Sequence, residues 1–306
     1  MSAGAGAGGS SVGQAGYTLV AAYNAVNTVG LVLLALTFLP AWLTPSVQRS
    51  TAWITLMAGA IFYSLGALLI VGNQIGPSPS FGMCLTQATV MYSSPAMDGA
   101  AFLALVIELF GAFGSTHLLW LTRRRMLLVY CPYAIVGSVS LFIIILGLTN
   151  PAGVRRNDSS FFCHLESPAP LLVSCSILGL CAFMTIPLSA VIAVRLYRNR
   201  RSLITNGVQI GMAIRVLVFC ALPGPIITLT VLAPNLPPYD GLAFGISTMP
   251  IVAALVFGSQ KDIVLAWIPW RKTYHAQEEP ANTRSSSVSF HDELAKQRLS
   301  YILDIA

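Results

Sequence analysis

Seven predominantly apolar runs divide the chain: residues 17–40, 51–73, 84–121, 126–149, 170–196, 208–233 and 240–259. A helix of roughly 20 apolar residues crosses the hydrocarbon core of a bilayer, so each run predicts one spanning helix. Pro40, Pro45, Gly76, Pro77, Asn150, Pro151, Pro168, Pro170, Pro234, Pro237 and Pro238 mark the breaks between them. Such residues punctuate regular structure. The third run is long enough to tilt or to project past the bilayer. The seventh is short and starts near Asp240. Internal repeats of the kind on which many transporters are built are absent from the pattern.

Composition agrees. Of 306 residues, 55% are hydrophobic and 9% charged, against about 25% charged in a soluble domain. The mean hydropathy is +0.73. The expected fold class is all-α: a polytopic membrane protein, a seven-helix transmembrane bundle over 17–259. Residues 1–16 have neither a basic stretch nor an apolar core of a signal peptide. They are expected to be a short flexible tail, with the first span acting as insertion signal.

Charge sets the expected orientation. With the N-terminus outside, the inner loops carry Arg49, then Arg123, Arg124 and Arg125, then Arg195, Arg198, Arg200 and Arg201. The C-terminal segment adds Lys261, Arg271, Lys272, Arg284, Lys296 and Arg298, and Arg215 lies near the inner end of the sixth run. Only Arg155 and Arg156 fall outside. Lys and Arg concentrate on the cytoplasmic side, so N-out and C-in is predicted. The net charge of +6 flanks apolar runs and forms no single patch, which argues against nucleic acid and for the lipid bilayer as partner. The outer loop then holds a glycosylation sequon at Asn157. It also holds Cys163, while Cys84 opens the third run. Both cysteines would face an oxidising compartment. A bridge between them would pin the loop to the third helix; the alternative is two unpaired loop cysteines.

Two acids, Asp98 and Glu108, lie within the third run. Ionisable residues inside a membrane are expensive and point to function or to a partner. Asp98 lies about 21 Å below Cys84 along a helix and Glu108 about 15 Å deeper, some 80° apart around it. Asp98 is a candidate ligand contact in a cavity open to the outside, together with Tyr92, Gln87 and the loop residue Glu166. Glu108, His117 and Arg215 are a candidate lock between helices three and six. The alternatives are that both acids are internally satisfied polar groups and that Arg215 extends to the headgroups. Pro223, Gly224 and Pro225 form a candidate hinge in helix six, because proline removes a backbone hydrogen bond and kinks a helix. The alternative is a static kink.

Other chemistry is not indicated. The four histidines lack metal-ligand spacing, so no metal is expected. No nucleophile elbow or zinc-protease motif is present, so an enzyme is not expected, although an intramembrane hydrolase built from the scattered acids and His117 is conceivable. The seventh run has no central lysine to hold a chromophore by a Schiff base. No cofactor is predicted. After Gly258, residues 260–272 place Ile263, Val264, Ala266, Trp267 and Ile268 on an apolar side, as in a helix lying in the interface. The remaining segment, 273–306, carries Ser285, Ser286, Ser287 and Ser289 near Arg284 as candidate phosphorylation sites.

Seven spans, a short outer N-terminus, the Cys84 and Cys163 positions, a basic third inner loop ("RLYRNRR") and the juxtamembrane "FGSQKDIVLAW" resemble a heptahelical G-protein-coupled receptor. The junction after span seven is similar to that of orphan receptor-like proteins of mushroom-type (basidiomycete) fungi, near the cyclic-AMP-receptor-like group. The resemblance covers about residues 17–272 and is mostly architectural. It implies a Cys84–Cys163 disulfide, an eighth helix, a plasma-membrane location, a small extracellular ligand and a heterotrimeric G protein. That partner would meet Arg123, Arg124, Arg125, Arg198, Arg200, Arg201 and Lys261. Helix three ends in "HLLWLTRRR", helix six carries "CALPGP" and helix seven "TMPIVAALVF", so the switch motifs of rhodopsin-like receptors are not carried over. A secondary transporter or channel, with Asp98 and Glu108 coupling to a cation or proton, is the alternative class.

Overall fold

The computed structural model describes residues 14–43, 49–112, 125–157, 161–198, 210–222, 224, 225, 228, 238–260, 263, 264 and 267. They are mostly helical: α1 Gln14–Leu43, α2 Thr51–Leu68, α3 Phe81–Ala112, α4 Arg125–Thr149, α5 Ala169–Arg198, α6 Ile210–Ala221 and α7 Pro238–Gly258. All but the twelve-residue α6 are long and apolar enough to cross a membrane. Between α4 and α5 lies a 3-10 turn, Pro151–Gly153, followed by β1 (Val154–Arg156) and β2 (Cys163–Leu165). The strands pair antiparallel, with Arg155 opposite His164.

The large apolar side chains that the bundle leaves outside identify a membrane protein. On α5, Phe183 and Ile186 are 70% and 68% exposed, and on α4 Leu141 and Leu148 are 59% exposed each. A water-soluble chain rarely presents contiguous surface of this kind, whereas lipid tails solvate it. The polar residues turn inward or bond within their own helix. Thr89, Ser94 and Ser138 donate to the carbonyls of Leu85, Val90 and Ala134, four residues back. That closes their hydrogen bonds without water.

Helix α3 is the hub, packing against α2, α4, α5 and both strands, while α1 packs against α2 and α7, and α6 against α5 and α7. The α2–α3 approach is close because Gly66 presents no side chain: a Cβ there would overlap Val90. Small residues permit such approaches where no hydrophobic effect drives helices together.

The elements depart from the apolar runs in several places. Helix α1 starts at Gln14, inside the expected tail, and continues to Leu43 through Pro40, which the sequence marks as a break; a proline is tolerated inside an apolar helix where neighbouring groups satisfy the freed carbonyl. Helix α2 ends at Leu68, although apolar residues continue to Val71. The chain turns there through Gly72 and Gly76 at φ 91° and 96°, a region that glycine reaches without a Cβ clash. Helix α3 is described to Ala112, so the end of the third run lies outside the described residues. In the sixth run α6 covers Ile210–Ala221, and residues 224, 225 and 228 are also helical. The chain from Lys261 onward forms a separate unit. Ile263 and Val264 are helical there, and the Trp267 amide donates to the Val264 carbonyl at 3.3 Å.

Candidate functional site

At the middle of the bundle Asp98 of α3 faces α2 where α2 has Gly59. A Cβ at residue 59 would overlap Asp98 Oδ1, so the glycine makes the room that the carboxylate occupies. Asp98 Oδ1 is enclosed and has no hydrogen-bond partner. One turn along α2, the Tyr63 hydroxyl shares a 3.3 Å hydrogen bond with Ser247 Oγ of α7. The Tyr23 hydroxyl of α1 faces Ser247, Tyr63 and Asn27 without a hydrogen bond of ordinary geometry. Asn27 spends its amide on the Tyr23 carbonyl at 2.9 Å, which leaves its Oδ1 enclosed and unpartnered. Four helices thus contribute one carboxylate, three hydroxyls and an amide to one buried polar seam. Unsatisfied buried groups are uncommon in native proteins and call for an explanation.

The hairpin closes the bundle directly above this seam. Cys84 and Cys163 form a disulfide, Cα to Cα 5.2 Å. Gln87, fully buried on α3, accepts from the Cys163 amide at 2.8 Å and donates to the carbonyls of Gly66 and Ala67 at 3.1 and 3.3 Å. One side chain therefore joins the hairpin to α3 and to the end of α2. Arg156 donates to the carbonyls of Asn73, Gly76 and Pro77 at 2.9, 3.0 and 3.4 Å and holds the α2–α3 turn. From this platform Phe161 inserts between α1, α2 and α7. It is fully buried among Val20, Tyr23 and Ala67, its ring parallel to Tyr23 at 5.0 Å and edge-on to Phe244 at 5.6 Å. Gln74 donates to the Phe161 carbonyl at 3.3 Å and is itself paired through both amide atoms with Asn24.

The residues singled out from the sequence divide accordingly. The structure brings Cys84 and Cys163 together. Gln87 belongs to the hairpin clamp, with its amide oxygen and nitrogen both engaged. Tyr92 lends its backbone carbonyl to the Ser174 hydroxyl and packs half-buried against the cluster of Ala88, Val139, Ile143 and Leu165. Glu166 pairs with Arg155 at 2.8 Å, on side chains 46% and 62% exposed. Of the four candidate ligand contacts, Asp98 is the one whose polar atom is enclosed and uncommitted. Glu108 Oε2 is also enclosed and unpartnered. The Arg215 guanidinium instead reaches the Ser259 carbonyl at 3.2 Å, at the end of α7, and no Glu108–Arg215 ion pair occurs among the described residues.

Of the hinge, Gly224 and Pro225 are helical, with the Thr228 hydroxyl donating to the Gly224 carbonyl at 2.8 Å. Arg125 opens α4, Arg198 ends α5 exposed, and Asn157 lies in the hairpin, its amide on the Phe162 carbonyl at 2.9 Å. His117, Arg123, Arg124, Arg200, Arg201, Pro223, Lys261, Ser285, Ser286, Ser287 and Ser289 lie outside the described residues.

Tyr23, Asn27, Tyr63, Ser247, Gln74 and Phe161 were not legible as site residues. A lone tyrosine or serine in an apolar run breaks no pattern, and Tyr63 and Ser247 meet across 184 residues of sequence. No family model matches this chain, and no curated protein matches it in sequence.

Proposed function

We propose that the protein is a heptahelical receptor of the G-protein-coupled type, in the plasma membrane. Its N-terminus is outside, its C-terminal segment cytoplasmic, and an eighth helix follows span seven. A small extracellular ligand acts from the hairpin side, and a heterotrimeric G protein is engaged at the basic inner rim. The observation that carries this reading is Asp98: an enclosed carboxylate oxygen without a partner at the middle of the hub helix, under a loop held by a disulfide. A seam that spans four helices and is incompletely satisfied is a place where a ligand or a rearrangement can gain free energy in one state and not the other. The Lys and Arg asymmetry, seven apolar runs and the sequon at Asn157 support the orientation. The Gly224–Pro225 segment and the Arg215 tie to α7 support helix six as the moving element.

Nucleotide exchange on G-protein alpha subunits, in membranes carrying the full chain, tests this. Arg215→Ala frees α6 from the end of α7 and is expected to raise ligand-independent exchange, while Asp98→Asn shifts the basal level. No exchange above background from any variant, across several alpha subunits, would refute coupling.

A cation- or proton-coupled transporter is the second reading. It is favoured by the two enclosed, unpartnered acid oxygens, Asp98 Oδ1 and Glu108 Oε2, on one helix. It requires electrogenic flux into liposomes that Asp98→Asn and Glu108→Gln each abolish.

A further inference from the structure

We propose that the slot filled by Phe161 is the ligand site, and that its ligand is a small planar aromatic molecule bearing a hydroxyl or amine donor. The ring of Phe161 is then a tethered stand-in for that ligand. The word ligand rests on the receptor reading; the slot rests on its own geometry.

The walls select a flat ring. Tyr23 offers a parallel face at 5.0 Å and 6°, Phe244 an edge at 5.6 Å, and Val20 and Ala67 complete the enclosure. Face and edge together suit the quadrupole of an aromatic better than an aliphatic group of equal volume. Helices supply these walls, whereas the occupant comes from the hairpin, so the ring can leave without taking a wall with it. Gln74, which holds the Phe161 carbonyl, keeps its pairing with Asn24 when the ring departs.

The present occupant is chemically incomplete. Asn27 Oδ1, one turn along α1 from Tyr23, is enclosed and unpartnered, and the Tyr23 hydroxyl faces Ser247, Tyr63 and Asn27 without a hydrogen bond of ordinary geometry. A phenyl ring has nothing to offer them. An amide oxygen only accepts, so the missing group is an O–H or N–H donor. An aromatic molecule that carries one supplies the stacking that Phe161 supplies and the hydrogen bond that it cannot. Phe161 competes because it is attached two residues from the disulfide, at an effective concentration on the order of millimolar.

The test uses the full chain in nanodiscs, with toluene and p-cresol as probes and the thermal midpoint as readout. In Phe161→Ala, p-cresol is expected to raise the midpoint at about tenfold lower concentration than toluene, the worth of one added neutral hydrogen bond. Wild type, with its slot filled, should respond only at concentrations about tenfold higher or more. Asn27→Leu in the Phe161→Ala background should erase the advantage of p-cresol over toluene. Phe161→Leu, which keeps apolar volume and removes the ring, carries the same criteria should Phe161→Ala fail to fold. Equal protection by the two probes, or equal protection of wild type and variant, overturns the proposal. The assay contains no G protein, so its outcome and that of nucleotide exchange are independent.

Discussion

Asp98 and Gly59 are one feature written on two helices. The carboxylate needs the volume that the missing Cβ leaves, so Gly59→Ala should destabilise the protein by about 1–3 kcal/mol through overpacking. In the Asp98→Ala background the same change should cost far less. A double-mutant cycle on thermal unfolding in detergent measures the difference; additivity of the two changes would mean that the groups do not share the space. The acids were legible in the sequence because a charge in an apolar run stands out. Gly59, Tyr63 and Ser247 were not, since nothing in a single run tells which residue of another helix will lie against it. For Arg215 the sequence offered Glu108 as the natural counter-charge. The helix end was a competing acceptor, because the last carbonyls of α7 lack intrahelical partners.

At the scale of elements, the hairpin behaves as a part of α3. Its disulfide closes a loop with a sequence separation of 79, which the chain-entropy model equates with about 4–5 kcal/mol. Reduction, or Cys84→Ser with Cys163→Ser, should lower the thermal midpoint by several degrees, and the double variant should then be insensitive to reductant. Gln87→Leu leaves the buried Cys163 amide without an acceptor and should cost about 1–3 kcal/mol with the disulfide intact; an unchanged midpoint would place the clamp elsewhere. The six long helices were legible as elements, because run length and composition dictate them; the sixth run was not, since α6 covers Ile210–Ala221 of it. The strands were not: each is three residues long, too short for alternation to register. The disulfide and Gln87 hold the start of β2 on α3, and Arg156 holds β1 against the α2–α3 turn.

For the whole molecule, the distribution of Lys and Arg predicts that the hairpin faces outward. Expression in a eukaryotic host should therefore yield a glycosidase-sensitive species that Asn157→Gln removes. A glycan absent from wild type in the presence of a glycosylated control protein would count against that orientation. The sequence revealed a membrane bundle but not its centre. Which helix becomes the hub depends on pairwise packing: on α3, Asp98 and Val90 fill the room left by Gly59 and Gly66 of α2, and Gly99 admits Leu178 of α5.

That place has a consequence for biogenesis. Among the six long helices α3 is the least apolar, and 67% of its most apolar stretch is buried, against 22% for α5. Asp98 is the eighteenth of its 32 residues, near the middle of the helix, and an acid at the centre of a spanning helix costs about 2.5–3.5 kcal/mol on insertion. Such a segment leaves the translocon reluctantly by itself. It gains a shielded position for its carboxylate as soon as α2, made just before it, is waiting with Gly59 and Tyr63. The order of synthesis thus prepares the site before the acid that needs it arrives, and α3 displayed alone in a membrane-insertion reporter should partition poorly until α2 is placed ahead of it.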